Sequence, residues 1–388
     1  MSATVSTPVT EATVDLTVLR NNYTILDDIV GSSSEVAAVV KADAYGHGLL
    51  PASRALFDAG CRTFCIVTIE EAEILRGEFG EQISILRLVP SLPDEYPEVI
   101  RLRLECVIAG LEDTTSWDKY LQREGRTLKA HLKLDCGMGR LGFSEEELTA
   151  SIAMLEQAPG IELTGVMSHF PASEEGPLST DSVGVTDYHT TLEIDRFRVL
   201  SSEIEARIGR PLVKHIANSG GAIYHPDSRF DLVRAGLALY GADPRGASLE
   251  SFGLSPALTL QSRIVQVRRL EPGATIGYGR TFRVEEPMLV GVAPVGYADG
   301  ILHSGSAKAE VLVRGRRCRV LGQISMNLIS FELSGMDEDI TVGEKVTLLG
   351  ADGTDRISAE EIARWCGSIP YEILTCIGRL APRRTIES

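Results

Sequence analysis

Eight short apolar runs, each followed by a loop and a segment with helical periodicity, lie between residues 36 and 234. The runs are Val36–Val40, Phe64–Thr68, Ile83–Val89, Glu105–Ala109, Ala130–Leu134, Leu163–Ser168, Val213–Ala217 and Asp231–Val233. Helical patterns between them, with apolar residues three and four apart, include Ala52–Ala59, Ile69–Arg76, Ser144–Glu156 and Thr190–Ile208. Alternating strands and helices form parallel sheets, and about 200 to 250 residues usually suffice for a closed barrel. We therefore predict a (β/α)₈ TIM barrel over residues 15–253.

The pattern changes after residue 254 to strands separated by glycine-containing turns such as Val313-Arg-Gly-Arg316. The predicted strands are Leu258–Val267, Met288–Pro294, Ala309–Val313 and Arg319–Leu333. Ser358, followed three residues later by Glu361, predicts a capped helix over Ser358–Trp365. We predict a mainly antiparallel β-domain over residues 254–388. Whether the early segment 10–14 adds a strand to this domain stays open at the level of sequence.

Charge and cysteine usage exclude several classes of function. The formal charge of −16 argues against nucleic-acid binding, which needs a concentrated excess of lysine and arginine. No apolar run is long enough to cross a bilayer, and the Ser/Thr-rich lead Met1–Glu11 lacks the pattern of an export signal. Seven scattered cysteines fit a reducing compartment, and the histidines form no metal-binding motif. We expect a cytoplasmic protein without a metal site.

Polar residues follow most of the barrel strands directly. They are Lys41 after the first strand, Lys133 to Arg140 after the fifth, His169 after the sixth, Asn218 and Ser219 after the seventh, and Arg234 after the eighth. In TIM barrels the chemistry gathers at the carboxyl ends of the strands. These residues are therefore the candidates for an active site.

Lys41 opens the segment Lys-Ala-Asp-Ala-Tyr-Gly-His-Gly48 at the end of a buried strand. Partial burial lowers the pKa of an ammonium group, which yields the neutral amine that can attack the aldehyde of a cofactor. Taken alone, the segment also fits a lysine that lies along the barrel rim with its charged end in water. Local sequence does not separate these two interpretations.

Further motifs recur in order along nearly the whole chain: LKLDCGMGRLG, SHF, HIANSGG, VRAGLALYG, GYG, GYADG, ISMN and IPYEIL. Together with KADAYGHG they make the chain resemble the bacterial alanine racemases. The resemblance implies a pyridoxal 5'-phosphate enzyme whose cofactor is bonded to Lys41. It also implies a homodimer in which the second domain of each subunit completes the active site of the other.

The resemblance assigns cofactor contacts to individual residues. The phosphate contacts are the hydroxyl of Ser219, the amides of Gly236 and Leu237, and the phenols of Tyr45 and Tyr371, and His169 and Asn218 are further cofactor-binding residues. Arg234 faces the ring nitrogen of the cofactor. A guanidinium stays protonated in proteins, so it hands no full proton to the ring, and side reactions such as transamination are suppressed.

Racemisation needs two acid–base groups on opposite faces of the substrate. The resemblance names Lys41 as one group and Tyr278 of the partner subunit, activated through His169 and Arg234, as the other. It assigns Arg140 to the phenolic oxygen of the cofactor and to the substrate carboxylate. Lys133 steadies Arg140, and carbamylation of Lys133, common in the family, would make its charge negative. Met326 and Tyr297 correspond to partner residues at the carboxylate pocket and the access channel.

Some features favour other interpretations. Gly137-Met-Gly-Arg-Leu-Gly142 matches the GxGxxG pattern of dinucleotide sites, but eight barrel strands leave no doubly wound sheet for such a cofactor.

Asn327 stands where the family usually has aspartate, Gln323 where arginine is common, and Gly300-Ile-Leu-His303 lacks a frequent arginine. We predict conversion of L-alanine to D-alanine. A racemase of serine or another small amino acid, a barrel-type decarboxylase and a non-catalytic cofactor carrier are the alternatives.

Overall fold

The computed structural model describes residues 8–174, 188–336 and 339–388, so the first seven residues of the Ser/Thr-rich lead lie outside the described part. The chain forms two compact units. The barrel unit consists of Arg20–Lys41 and Ser53–Leu239. The β unit consists of the described residues up to Leu19, Ala42–Ala52 and the described residues from Tyr240 onward. No helix in the described part is long and apolar enough to cross a membrane.

After β1 (Glu11–Asp15), which belongs to the β unit, the chain enters the parallel barrel. Its described strands are β2 (Glu35–Val39), β3 (Thr63–Ile66), β4 (Ser84–Arg87), β5 (Glu105–Ile108), β6 (Leu128–Lys133), β7 (Ile161–Met167), β8 (Val213–His215) and β9 (Leu232–Ala235). Strands β2 to β8 are neighbours in chain order, and β9 pairs with β2. Backbone hydrogen bonds from Asp231 to Lys214 and from Arg234 to Ala217, both 3.0 Å, join β8 to β9. These strands confirm the predicted barrel.

The helical segments begin at side-chain caps in several places. Their bounds are α1 (Leu16–Val30), α2 (Lys41–Tyr45, a left-handed turn), α3 (Leu49–Asp58), α4 (Ile69–Phe79), α5 (Tyr96–Arg101), α6 (Leu111–Glu124), α7 (Glu145–Glu156), α8 (Tyr188–Ile208), α9 (Ser219–Tyr224), α10 (Ala359–Cys366) and α11 (Pro370–Leu380). Thr68 with Glu71, and Ser144 with Glu147, form reciprocal capping boxes at α4 and α7. Such a cap contributes about 1 kcal/mol and fixes where the helix starts after its barrel strand.

The β unit is built on a mainly antiparallel sheet, as predicted. Its further strands are β10 (Leu258–Arg263), β11 (Gln266–Leu270), β12 (Thr275–Ile276), β13 (Phe282–Arg283), β14 (Met288–Ala293), β15 (Glu310–Val313), β16 (Arg316–Leu321), β17 (Ile329–Glu332), β18 (Lys345–Asp352), β19 (Asp355–Ile357) and β20 (Arg383–Ile386). In the sheet order β11-β14-β17-β16-β15-β18-β10-β1-β20, only the pair β1–β20 is parallel. β1 therefore supplies an N-terminal strand to this sheet.

Two strands predicted as continuous are interrupted. Leu258–Val267 divides because the chain changes partners: Ile264 donates its N–H to Glu344 and Val265 donates to Val292, both at 2.8 Å. Arg319–Leu333 divides into β16 and β17, and Gly322 at the break has a left-handed φ of +67°. Both predictions of a single strand were wrong, since alternating hydrophobicity does not reveal a change of pairing partner.

Candidate active site

Lys41 lies at the carboxyl end of β2 and is followed by an unusual backbone conformation. The four residues Ala42 to Tyr45 all have φ between +53° and +57°, although none is glycine. The left-handed conformation costs an L-residue about 1 to 2 kcal/mol each, so the surrounding structure must impose it. Strain of this kind is typical of functional sites and gives the backbone after Lys41 a fixed direction.

Side chains and backbone of the β unit hold this left-handed turn. Gly46 donates its N–H to Ala42 at 3.1 Å and Gly48 donates to Asp43 at 2.9 Å. The Asp43 carboxylate accepts the N–H of Leu49 at 2.7 Å and pairs with Arg383 at 2.7 Å. Arg383 also donates to the carbonyl of Gly46 at 2.6 Å. The turn is thus tied to the C-terminal strand of the β unit by an ion pair and a hydrogen bond.

Several cationic groups of the barrel unit influence one another at the carboxyl ends of the strands. Burial first, and then the charge of Arg140, lower the pKa of Lys41 from its ordinary value. Burial first, and then Arg234 and Arg140, lower the pKa of Lys133 to about 7. Among the described residues, none forms an ion pair with Lys41, Lys133 or Arg140. The cluster therefore presents a local excess of positive charge, as a site for an anionic ligand requires.

Arg234 is 3% exposed and is held entirely by uncharged acceptors within the described part of the chain. Its guanidinium donates to Nδ1 of His215 at 2.7 Å, to the carbonyl of Ser168 at 2.7 Å and to Nδ1 of His169 at 3.3 Å. Burial lowers the pKa of Arg234 to about 10, which leaves it protonated at neutral pH. A fixed, charged guanidinium is the result.

His169, directly after β7, is kept neutral. Burial first, and then Arg234, lower the pKa of His169 well below its usual value. Because Nδ1 accepts from Arg234, the ring proton of the neutral imidazole resides on Nε2. His169 is thus set as a hydrogen-bond donor through Nε2.

Ser219, the first residue of α9, is prepared to donate a hydrogen bond. Its Oγ accepts the N–H groups of Gly236 at 3.0 Å and of Ala238 at 3.1 Å. A hydroxyl that accepts two hydrogen bonds has its own proton left to donate. Since the amide of Leu237 lies between these two donors in the chain, the segment combines hydroxyl and amide donors suitable for a phosphate.

The other predicted cofactor contacts lie in two places. Asn218 caps α9, where its Oδ1 accepts from Gly221 at 3.0 Å and from the hydroxyl of Ser173 at 2.7 Å. In the β unit the rings of Tyr45 and Tyr371 are 5.9 Å apart. The structure thus brings the two tyrosines together and gives Asn218 a local capping role.

The predicted partner-facing residues lie on loops of the β unit. Tyr278, in the turn between β12 and β13, is 72% exposed, and Tyr297 and Met326 are 42% and 55% exposed. A backbone hydrogen bond joins the loops that bear Tyr297 and Met326: Ala298 donates its N–H to the carbonyl of Met326 at 2.9 Å. Their exposure leaves these three side chains accessible to another molecule.

The GxGxxG segment forms a loop that returns to its own strand. Phe143 donates its N–H to Lys133 at 2.8 Å, and Asp135 donates to Phe143 at 3.0 Å. A Cβ on Gly142, whose φ is +122°, would come within 2.7 Å of the backbone of Leu134. The glycines therefore serve the tight return that bears Arg140, within a barrel and not in a doubly wound sheet.

Sequence analysis missed three polar residues inside the barrel: Glu105, His131 and His215. They form a line of hydrogen bonds that ends at Arg234. A signal was present, since His131 and Lys133 occupy alternate positions of β6 and therefore face the same side of the strand. His131 lies within the strand, whereas the candidates from sequence lie at or after strand ends.

Comparison with known proteins identifies both parts of the chain. The family "Alanine racemase, N-terminal domain" matches residues 14–244, and "Alanine racemase, C-terminal domain" matches residues 257–385. A curated alanine racemase of Syntrophobacter fumaroxidans is 37% identical over 366 residues, 94% of each chain.

Solved structures agree over almost the full length. The crystal structure of the alanine racemase from D-cycloserine-producing Streptomyces lavendulae has a TM-score of 0.86 and 32% identity, with coverage of 99% of this chain and 98% of that chain. That of Bartonella henselae, with covalently bound pyridoxal phosphate, has a TM-score of 0.86 and 28% identity, with coverage of 98% and 100%.

Proposed function

The chain belongs to the alanine racemase family and is therefore an isomerase, and we propose that it interconverts L- and D-alanine with pyridoxal 5'-phosphate through two bases, Lys41 and Tyr278. One observation supports the site most strongly: Lys41, Lys133, Arg140 and Arg234 influence one another at the barrel ends with no carboxylate paired to them in the described part. A ligand that carries a phosphate, a phenolate and a substrate carboxylate supplies the missing negative charge.

The residues of the barrel unit fit this cofactor. When bound, pyridoxal phosphate supplies an aldehyde that bonds to an amine and a ring that withdraws electrons from the α-carbon. Lys41 offers an amine whose pKa is lowered by burial, and Ser219 offers a hydroxyl proton beside the amides of Gly236 and Leu237. For Tyr45, Tyr371, His169 and Asn218 the proposed role is the cofactor contact that the family resemblance implies.

Lys41 and Tyr278 hold and move the proton of the α-carbon. A racemase must remove this proton from one face and return it to the other, so one group alone is insufficient. Arg234 stays protonated at its pKa of about 10, and it therefore stabilises negative charge without giving up its proton.

Arg140 would bind the substrate carboxylate and the cofactor's phenolic oxygen, steadied by Lys133. Lys133 is 6% exposed, and a pKa of about 7 makes much of its amine neutral at physiological pH. Only a neutral amine reacts with carbon dioxide, so this environment favours the carbamate. The modified side chain would be an anion that pairs with Arg140 where two cations would repel.

The expected reaction is tested with a panel of amino acids. Incubation of the cofactor-loaded protein with L-alanine should abolish its circular dichroism, and D-alanine should converge on the same end point. Serine and other small amino acids in the panel address the departures at Gln323, Asn327 and His303. Release of carbon dioxide would favour the decarboxylase instead, and cofactor binding without turnover of any amino acid would favour the carrier.

We propose a homodimer with shared active sites, supported by the 72% exposure of Tyr278 on its own chain. Met326 and Tyr297 would reach the partner's site from neighbouring loops. Lys41→Ala and Tyr278→Phe chains, each inactive alone, should recover activity when refolded together, because a hybrid dimer contains one intact site in two. Activity is measured after hybrids are isolated by a charge tag on one chain. Isolated hybrids without activity would contradict shared sites.

A further inference from the structure

A line of four polar side chains crosses the inside of the barrel unit. Nη1 of Arg234 is 2.7 Å from Nδ1 of His215, Nε2 of His215 is 2.7 Å from Nδ1 of His131, and Nε2 of His131 is 2.8 Å from Oε2 of Glu105. His131, His215 and Arg234 are each less than 5% exposed. We call these four residues the relay. Three polar groups so deeply buried are costly unless every hydrogen bond is made, and the side chain of Glu105, 21% exposed, ends the line.

The chemistry of the two ends fixes the direction of every bond in the relay. Arginine can only donate, so Nδ1 of His215 must accept, and the ring proton of a neutral His215 resides on Nε2. His215 therefore donates to Nδ1 of His131, which in turn donates from Nε2 to the carboxylate of Glu105. Burial first, and then Arg234, lower the pKa of His215 well below its usual value, in agreement with a neutral ring.

The backbone is adapted to make room for the relay. The pairing of β6 with β7 shifts between Ala130 and His131, so that Thr164 is an extra residue and Gly165 stands opposite His131. Such a bulge redirects side chains and is frequent near active sites. A Cβ on Gly165 would overlap Nδ1 of His131, the atom that receives the bond from His215. Glycine at this position therefore leaves the space that the bond occupies.

The arrangement separates a charge from its counter-charge. A carboxylate in direct contact with Arg234 would neutralise the positive charge that an electron-rich ligand needs. In the relay the carboxylate of Glu105 is three hydrogen bonds from Arg234, and the neutral rings of His215 and His131 lie between them. Arg234 is thus held firmly at one side while its charge stays available at the carboxyl end of the barrel.

We infer that Glu105, His131 and His215 are positioning residues that orient Arg234 through a one-directional chain of hydrogen bonds. The inference rests on the proposed function only where it concerns the ligand that Arg234 binds. The existence and direction of the relay are properties of the chain itself. They can be measured without any turnover.

The direct test is ¹⁵N NMR of the histidine rings in the cofactor-loaded protein, with signals assigned from His131→Gln and His215→Asn variants. Both rings should be neutral, protonated at Nε2 and bare at Nδ1. Glu105→Leu removes the final acceptor and should shift the Nε2 signal of His131 most, because both tautomers are still set from the Arg234 end, whereas Glu105→Gln, whose amide oxygen still accepts, should retain the wild-type pattern. A charged ring or an Nδ1-protonated His215 in the wild type would overturn the relay.

A second test displaces the relay without removing any of its groups. Gly165→Ala should weaken the bond between His131 and His215, disturb the same ¹⁵N signals and lower kcat by about tenfold or more, the effect of losing a hydrogen bond to a charged network. Gly77→Ala is the matched control, because a Cβ there meets open space. Unchanged tautomers and kcat in a correctly folded Gly165→Ala protein would overturn the positioning role. If wild-type tautomers are as expected but alanine is not racemised, the proposed function fails and the relay stands.

Discussion

Replacement of Lys41 by alanine is expected to reduce racemisation by about 10⁴-fold or more, because we propose two tasks for this one side chain. In the proposed function it bonds the cofactor as an amine and moves the proton on one face of the substrate as a base; general acid–base groups alone contribute about 10² to 10⁴ in rate. The lowered pKa of Lys41, caused first by burial and then by Arg140, favours the neutral amine that both tasks need. No other described lysine lies directly after β2.

The site of attachment can be measured separately from the rate. Borohydride reduction of the loaded wild-type protein, followed by peptide mass mapping, should find the pyridoxyl group on Lys41 and nowhere else. Lys119→Ala, which removes an exposed lysine of α6, is the matched control and should keep both label and activity. A pyridoxyl group on Lys133, or racemisation by Lys41→Ala at a rate near that of the wild type, would reject the assignment.

The barrel could be predicted from the sequence because each strand is a short buried run between helices. All eight predicted runs overlap observed strands, for example Leu163–Ser168 with Ile161–Met167. The hairpin at Val313-Arg-Gly-Arg316 could also be predicted from its glycine-containing turn. In the structure Arg314 and Gly315 both have positive φ, as a two-residue turn of this kind requires. The points at which strands of the β unit change their pairing strand could not be predicted, because pairing depends on strands that are distant in sequence.

The sequence identifies those candidate site residues that follow strands or lie in motifs shared with the family. Lys41, His169 and Arg234 fall into this group, and the structure gives each a buried or partly buried environment with a lowered pKa. The left-handed turn after Lys41 could not be predicted, because alanine and tyrosine rarely adopt positive φ and the arginine that pairs with Asp43 in the turn, Arg383, comes from the far end of the chain. The relay was hidden for a related reason: its four members lie on four different strands, β5, β6, β8 and β9.

Loss of one hydroxyl should separate proton removal from inversion. Tyr278→Phe keeps the ring and removes the acid–base oxygen, so racemisation should fall by about 10² to 10⁴ while the cofactor still bonds to Lys41. Tyr120→Phe in α6 removes the same oxygen elsewhere and should leave the rate unchanged. The rates are measured by circular dichroism, and the bond to Lys41 by the same reduction and mass mapping.

Isotope exchange then tells which face each base serves. In deuterated water the Tyr278→Phe protein should still exchange the α-hydrogen of the enantiomer that faces Lys41, which the family resemblance assigns to the D-form. This exchange should occur without inversion, because no group remains to deliver a proton to the opposite face, and the L-form should exchange poorly. If Tyr278→Phe exchanged and inverted both enantiomers at wild-type rates, Tyr278 would not be the second base. His169, whose neutral ring has its Nε2 proton to donate, would then be the next candidate.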